Sequence, residues 1–588
     1  MLVGLATVAA LGAVLYWTGY IRVISPYIAI AVTLLFFTLA PGYLLVMGLQ
    51  TWSRQRYGLL TLTLLSTSLG FTWNFLANVI VYVAGPNIDR TVSAYVAAVV
   101  VGYAVAIFVR FVLRRGAETY RIAIEPLLVA CVGICVCLIY VMILHREPSF
   151  FYVDEFIIIR KILSVPSIAY DNIAYDLNDR TTYFFAPFYI TIAMVTRFLD
   201  VDLFIGYLAV WPFTALISLA CIAKLSQLLS DSLAPAAILL ALAMIMVLFV
   251  PIPTSLYRVD LLPYPDRYSV AVGVLLPLAM FHFFMHVRDR QFNPAMFVGL
   301  IYLLVENTFI HAKETIYVVG LLAIYLGMLW LRPVWDRAQF LRTLSVLGMV
   351  VLIVAIYAVW NAAANPDLFA HLAERRAAAG RDFLAAAEQR GAGVFLQTDG
   401  SSYEWQMELM VNRAGAGWTL VVLLFALPLF VAWVERFEAL LFPTAIAAIL
   451  LITASDGLGM LIVAAVGEPD VMRSAPTVYL LGLIVLVHFV WLLFRRSAML
   501  AAAMRGNRAW AEIKSLESGP MIPLAAGLAM LFAALPIAGS LLFPDRISLQ
   551  QLTVTGFVPT DVLLFTSVIL ISIWRIRRGN PGLSEQAQ

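Results

Sequence analysis

Charged residues are scarce in this chain of 588 residues: Asp, Glu, Lys and Arg make up 12% of it, against about 25% in soluble domains. Hydrophobic residues make up 63%. So few charged side chains cannot cover the surface of a water-soluble globule of this size, and that class of fold is excluded. The 38 basic and 35 acidic side chains nearly cancel, so the net charge does not indicate a nucleic-acid partner.

Cysteine is also scarce, with four residues in the whole chain. Cys131, Cys135, Cys137 and Cys221 all lie within apolar runs, and no histidine or carboxylate accompanies them at metal-ligand spacing. We interpret them as small core residues rather than as metal ligands, and they leave the redox compartment undetermined.

Apolar segments long enough to cross a bilayer, about 20 residues each, follow one another almost without interruption. The sequence therefore predicts an all-α polytopic membrane protein with about sixteen transmembrane helices. The predicted spans are 2–21, 27–49, 58–84, 92–113, 122–144, 203–223, 233–250, 268–287, 294–311, 314–331, 343–361, 417–434, 437–454, 475–494, 520–543 and 561–576.

Basic residues occupy alternate short loops, which indicates the orientation because Lys and Arg in short loops stay cytoplasmic. Both termini are then predicted to be cytoplasmic, in an inner or plasma membrane. The predicted outer segments are 145–202, 251–267, the 311–314 turn, 362–416, 455–474 and 544–560.

The segment 185–199 fits this pattern only if it does not span. It is short and is interrupted by Pro187 and Arg197, so we predict an amphipathic helix in the membrane interface.

Three zones are predicted along the chain. Residues 1–120 would form an accessory bundle of four helices, and residues 121–361 a catalytic core. Residues 362–588 would form an outer loop followed by C-terminal helices. No internal repeat is evident, which argues against a transporter built from inverted repeats.

Adjacent acids stand in the first long outer loop, which begins HREPSFFYVDEFIIIRKIL. If FIIIRKIL is helical, Asp154 and Glu155 lie near its start, where free backbone amides favour a carboxylate. A simple helix cap is the alternative to a functional acid. The pair directly follows a predicted span, which holds it close to the bilayer surface.

The outer loop 251–267 alternates charges between tyrosines. Arg258, Asp260, Asp266 and Arg267 could form local ion pairs within an aromatic belt. Alternatively, the arginines could bind the phosphate of a lipid head group.

The segment ENTFIHAKETIY carries ionisable groups at the predicted membrane boundary. Glu306, His311, Lys313 and Glu314 would be costly to bury there, which makes them functional candidates. A Lys313 side chain that extends to the interface and pairs with Glu314 is the alternative. Arg473, in EPDVMRSAP before a later span, is another outer-facing base.

The order of these motifs resembles the GT-C superfamily of polytopic glycosyltransferases. A span is followed by VDE, by the segment YFFAPFYITIAMVTRFLD, by two spans and LLPYPDRYSV, and by two more spans joined at HAKET. The resemblance covers roughly residues 121–361. It implies a GT-C-like core, an outward-facing site and a polyprenyl-phosphate sugar donor.

The resemblance assigns roles to the matching residues. Asp154 would be the catalytic base, with Glu155 as its support. Asp266 or Asp260 would be the acid of the second outer loop, which positions a metal or the acceptor, and Lys313 would contact the donor phosphate.

The predicted reaction transfers a sugar, with inversion, to a hydroxyl of a lipid-linked glycan, a glycolipid or a protein. Asp154 would accept the hydroxyl proton. The departing phosphate would be held by cationic side chains, namely Arg258, Arg267, His311, Lys313 and Arg473. Glu314 would join the second acidic site.

No cofactor is fixed by the sequence, although Asp154 and Asp266 are candidates for binding Mg²⁺ or Mn²⁺. Two other functions stay open: a flippase or transporter of lipid-linked sugars, and a polymerase or ligase of the O-antigen type.

Overall fold

The structure of the protein is a computed structural model. It describes residues 2–22, 29, 32–33, 35–53, 57–70, 87–109, 125–145, 153–164, 187–230, 232–249, 270–288, 293–333, 336–364, 418–434, 436–454, 475–504 and 558–578. These residues are almost all helical, and none of them forms a strand. The predicted all-α class is therefore confirmed for the part of the chain that is described.

The chain divides into two compact units. Unit 1 contains residues 1–225, 240–316 and 348–365, and unit 2 contains the rest. Residues 1–120 thus belong to the same compact unit as most of 121–361. The three predicted zones were distinguished by their expected roles, whereas the two units are distinguished by contacts, so the zones stay a prediction.

Helices of unit 1, some of which continue into unit 2, are α1 (Leu2–Thr18), α2 (Ala40–Ser53), α3 (Leu59–Gly70), α4 (Ile88–Phe108), α5 (Pro126–His145), α6 (Val153–Ser164), α7 (Pro187–Leu199), α8 (Leu203–Ser230), α9 (Leu233–Phe249), α10 (Leu276–Arg288), α11 (Pro294–Leu331) and α12 (Arg337–Ala364). Single π-helical turns lead into α2 at Leu35–Leu39 and into α10 at Ala271–Leu275.

Unit 2 adds four helices from the C-terminal part of the described chain. They are α13 (Trp418–Trp433), α14 (Leu441–Ala454), α15 (Ala475–Met504) and α16 (Val558–Arg578). Helix α14 packs against α15 and α16, and α13 packs against the same two helices. Most of the buried side chains of these helices are apolar, with Phe430, Phe442 and Phe565 among the largest.

Four described segments are long and apolar enough to cross a membrane: Ile88–Phe108, Ile205–Ser230, Arg337–Val359 and Leu480–Ser497. Shorter apolar helices account for most of the other described segments. The chain therefore has the features of a helical membrane protein, whereas the predicted number of sixteen spans is not confirmed. The predicted span 520–543 lies outside the described residues.

Helix α7 coincides with the segment that the charge pattern excluded from spanning. Its 13 residues reach about 20 Å, less than a hydrocarbon core of about 30 Å. From Tyr189 to Leu199 only Thr191 and Arg197 are not buried. The prediction of a separate short helix is confirmed, but protein surrounds this helix on nearly every side.

Three of the four cysteines lie in the core, where the sequence placed them. Cys131, Cys135 and Cys221 are buried and Cys137 is partly buried. They fill the core as small apolar side chains.

Helices α2 and α3 approach so closely that their contact requires glycine. A Cβ atom on Gly42 would overlap the carbonyl oxygen of Ser66, and a Cβ on Gly70 would overlap that of Thr38. Backbone atoms cannot move aside as the end of a flexible side chain can. Helix packing by small residues is the usual way in which helices associate in membranes.

We expect Gly42→Ala to separate α2 from α3 and to lower the free energy of unfolding by about 1–3 kcal/mol, the usual range for an overpacked core. Gly48→Ala is the matched control, because it lies on the same helix and its Cβ would meet no atom within 4 Å. The midpoint of thermal unfolding in detergent measures the effect. Equal midpoints for the two variants would contradict the close contact.

Candidate functional site

The predicted catalytic acids lie at the start of a helix. Helix α6 begins at Val153, so Asp154 and Glu155 occupy its first turn. The expectation that FIIIRKIL is helical is confirmed. A carboxylate near a helix N-terminus is stabilised by the unpaired amides and the helix dipole, by about 0.3–1 kcal/mol at an exposed position.

The rest of α6 anchors this turn to the protein. Ile159 and Ile162 are fully buried, whereas Ile157 is exposed, so one face of the helix is embedded. Helix α6 packs against α7. The position of the acidic turn therefore depends on how α7 is held.

Aromatic side chains hold α7. The ring of Phe198 stacks on those of Tyr16 and Phe36, with centroid distances of 5.2 and 5.3 Å, and it meets Phe37 edge-on at 5.4 Å. These partners come from α1 and from the π-helical turn before α2. The N-terminal segment thus supports the helix on which α6 rests.

An ion pair fixes the other face of α7. The guanidinium of Arg197 donates from Nε and Nη2 to the two oxygens of Asp89, the second contact measuring 3.1 Å. The hydrogen bond to Asp89 raises the pKa of Arg197. Both side chains are about half exposed, so the pair contributes little stability. Its two parallel contacts instead fix the orientation of α7 against α4.

The segment that carries Lys313 is helical throughout. Helix α11 runs for 38 residues from Pro294 to Leu331, so the turn predicted at 311–314 does not interrupt the helix. A straight helix of this length would measure about 57 Å, far more than a bilayer core. The apolar runs on either side suggested two spans, but they do not require a loop between them.

One hydrogen bond shows that α11 is nevertheless bent at that place. The hydroxyl oxygens of Thr308 and Thr315 are 3.0 Å apart, although seven residues in a straight helix rise about 10 Å. Two threonine side chains cannot bridge that distance. The helix axis must therefore turn sharply between these residues, where the sequence predicted a change of direction.

The directions of these hydrogen bonds can be assigned. The Thr308 hydroxyl donates to the carbonyl of Leu304 at 2.7 Å, so its single proton is committed. The Thr315 hydroxyl must then donate to the Thr308 oxygen. His311, Lys313 and Glu314 lie on the backbone between these two threonines.

The first half of α11 is fixed by polar contacts in unit 1. Asn293 caps the helix by accepting from the Met296 amide at 3.2 Å, and it also accepts from the Tyr57 hydroxyl at 2.9 Å. The ring of His282 bonds to the Met296 carbonyl and to Ser68. It lies where a Cβ on Gly299 would be. Because a carbonyl only accepts, the Nδ1 of His282 carries the proton in this contact.

Two polar side chains immediately before the bend lack partners. Glu306 is 4% exposed and Asn307 is 1% exposed. Within the described part of the chain, neither Oε2 of Glu306 nor either amide atom of Asn307 makes a hydrogen bond. The sequence singled out Glu306 as an ionisable boundary residue without a role, and it did not single out Asn307. An amide beside an acid in an apolar segment is the signal that identifies the pair.

The remaining predicted site residues lie outside the described residues. They are Arg258, Asp260, Asp266, Arg267 and Arg473. The structure therefore gives the backbone of two predicted groups, the Asp154–Glu155 turn and the bend with His311, Lys313 and Glu314. Among the described residues there is no cluster of three or more His, Cys, Asp or Glu side chains that could hold a metal ion.

Polar contacts between helix ends agree with the predicted sidedness. The half-buried Glu125 accepts from Lys224 at 3.3 Å and from the Leu60 amide, and the charge pattern places all three positions on the inner side. Asp89 and Arg197 are both predicted to be outside. Every one of these contacts joins positions that the prediction puts on one side.

The same agreement holds in unit 2. Arg436 donates to the carbonyl of Leu228 at 3.2 Å, and Arg575 donates to that of Val431 at 2.6 Å. All four positions are on the predicted inner side. Burial lowers the pKa of Arg436.

Comparison of the chain with protein-family models, with curated proteins and with solved structures gives no match.

The bend in α11 predicts a specific cross-link. In a background with the four native cysteines replaced by alanine, we expect Thr308→Cys with Thr315→Cys to form a disulfide on mild oxidation, because their side chains meet. Val92→Cys with Val99→Cys is the matched control, since this buried pair has the same spacing on α4. Mass spectrometry after alkylation of free thiols measures both. Equal cross-linking of the two pairs, or none in either, would contradict the bend.

Proposed function

We propose that the protein is a membrane glycosyltransferase that moves a sugar from a polyprenyl-phosphate donor to a hydroxyl acceptor at the outer face of the membrane. The observation that carries the proposal is the position of Asp154. It lies in the first turn of a short helix that follows α5 and packs on the short helix α7. This order of parts agrees with the GT-C resemblance of the sequence.

The place of Asp154 suits a general base. A catalytic base must be ionised before the reaction, and the N-terminus of α6 favours the ionised carboxylate. The base must also contact a hydroxyl that arrives from water or from the lipid surface. The end of a helix can be reached by such a substrate, whereas the buried middle of a helix cannot. Proton acceptance by a positioned base contributes about 10²–10⁴-fold to a rate. Glu155, its neighbour in the same turn, supports it.

The donor phosphate needs positive charge. Lys313 lies on the bend of α11, and Arg258, Arg267, His311 and Arg473 are further candidates from the sequence. Cations that hold the departing phosphate stabilise the charge that develops in the transition state. Asp260, Asp266 and Glu314 are candidates for holding the acceptor, and Mg²⁺ or Mn²⁺ would suit Asp154 with Asp266.

A transporter or flippase of lipid-linked sugars is a second candidate function. Glu306 favours it, because its buried Oε2 has no hydrogen-bond partner within the described residues and lies beside a bend, and polar groups at broken helices mark transport sites. Transport needs no base at the membrane surface. The two functions therefore differ in their dependence on Asp154.

The replacement Asp154→Asn tests the transferase. We expect sugar transfer from a radiolabelled polyprenyl-phosphate sugar to fall by about 10²-fold or more, while donor binding is retained because the amide preserves the shape of the side chain. Asp336→Asn is the matched control, since Asp336 caps α12 and asparagine caps equally well. Thin-layer chromatography of lipid and glycan products measures transfer.

Normal transfer by Asp154→Asn would overturn the assignment of the base. Movement of labelled donor across vesicles without cleavage of the sugar–phosphate bond, unchanged in the variant, would establish the transporter instead.

Replacing Lys313 separates donor binding from chemistry. If Lys313 contacts the phosphate, Lys313→Gln raises the KM for the donor by about 10- to 100-fold, the loss expected for a hydrogen bond to a charged group. The KM for the acceptor stays unchanged. Arg337→Gln, at an exposed position on the predicted inner side, is the control. Steady-state kinetics with both substrates varied measure the effect, and an unchanged donor KM would exclude the contact.

A further inference from the structure

Glu306 and Asn307 are the least satisfied polar pair in the described part of unit 1. Both are more than nine-tenths buried. Within the described residues, Oε2 of Glu306 and both amide atoms of Asn307 are without hydrogen-bond partners. Buried polar groups in proteins nearly always have partners. A binding role accounts for a consecutive pair that has none among the described residues.

The charge of Glu306 requires compensation. An ionised carboxylate buried without a partner costs several kcal/mol, and the residues that precede Glu306 on α11, from Met296 to Val305, carry no charge. Neither of the two ion pairs described above, Arg197 with Asp89 and Lys224 with Glu125, involves Glu306. One bound positive charge would restore neutrality.

The available atoms specify the kind of cation. Glu306 provides carboxylate oxygens and Asn307 an amide oxygen, both hard ligands that suit alkali and alkaline-earth ions rather than Zn²⁺ or Cu²⁺. A single carboxylate balances a single charge, so a divalent ion would leave a buried excess.

Broken helices in membranes use this arrangement. Where a helix is interrupted, backbone carbonyls and nearby side-chain oxygens coordinate monovalent ions. Thr308 cannot contribute its proton, since the Leu304 carbonyl holds it. Its oxygen already accepts from Thr315. The ligands that the structure offers are thus the acid and the amide.

We propose that Glu306 and Asn307 form a binding site for one monovalent alkali cation at the bend of α11. The site does not depend on the transferase proposal, because it uses none of the predicted catalytic residues. The bound ion would connect the two sides of the bend and so stabilise the bent form of the helix.

Thermal unfolding of the purified full-length protein tests the site directly. Sodium, potassium, lithium and choline chlorides are compared at one ionic strength, with choline as the cation too large to enter. We expect at least one alkali ion to raise the Tm by about 1–3 °C relative to choline, and the rise to grow with the logarithm of its concentration. Radiolabelled sodium or rubidium binding gives the stoichiometry, expected to be one per chain.

Variants assign the site to these residues. Glu306→Gln has the shape of the native side chain without its charge, and we expect it to lose both the Tm difference and the bound label. Asp336→Asn, an acid-to-amide change at an exposed helix cap, is expected to retain both. Asn307→Asp adds a second carboxylate and is expected to shift the preference from monovalent ions to Ca²⁺.

Two results would overturn the proposal. If the wild-type protein has the same Tm in all four salts and binds no label, Glu306 is simply a protonated carboxyl. If Glu306→Gln binds the alkali ion as the wild type does, the ion site lies elsewhere. The wild-type comparison needs no variant, so the proposal is decided even if a substitution prevents folding.

Discussion

The cost of charge in a hydrocarbon environment is the constraint on which this structure depends. With 12% charged residues, the chain can pass through apolar surroundings many times, but each charge must find a place at a helix end. The described ion pairs show this in part: Arg197 with Asp89 joins two helix ends, and Lys224, inside α8, pairs with Glu125 just before α5. Arg436 and Arg575 donate to backbone carbonyls at helix ends. These charged side chains thus join neighbouring helices near the borders of the apolar layer, where the desolvation of a charge costs least.

Inside that layer, the association of helices depends on the shapes of their side chains. The hydrophobic effect hardly favours helix association in lipid, so close contact depends on small residues and on well-packed aromatic rings. Gly42 and Gly70 let two backbones touch, and Phe198 fills the space between the first helices and α7. Hydroxyls within helices mostly donate back to the carbonyl four residues earlier, as Thr67 does to Thr63. They therefore add little to cohesion between helices.

The sequence specified the parts of this structure that depend on charge and chain breaks. Pro187 and Arg197 identified α7 as a short helix, and the polar start of VDEF located the beginning of α6. The bend in α11 was predicted only as a loop, because nothing in an apolar pattern distinguishes a bent helix from two helices. The packing of Phe198 could not be predicted either. In a uniformly apolar helix, no sequence pattern indicates which neighbouring helix each face contacts. The contact depends on the fit between the shapes of side chains that are far apart in the sequence.

The two acidic positions of interest in unit 1, Asp154 and Glu306, differ in where they lie on their helices. Asp154 lies in the first turn of a helix, a position where the helix itself favours an ionised acid. Glu306 lies within an apolar helix and is 4% exposed, where exchange with water is slow and an ion once bound is well shielded. A chain that buries an acid within a helix retains it at a cost. The cost is explained if the charge is used, and a cation bound beside Glu306 would offset it.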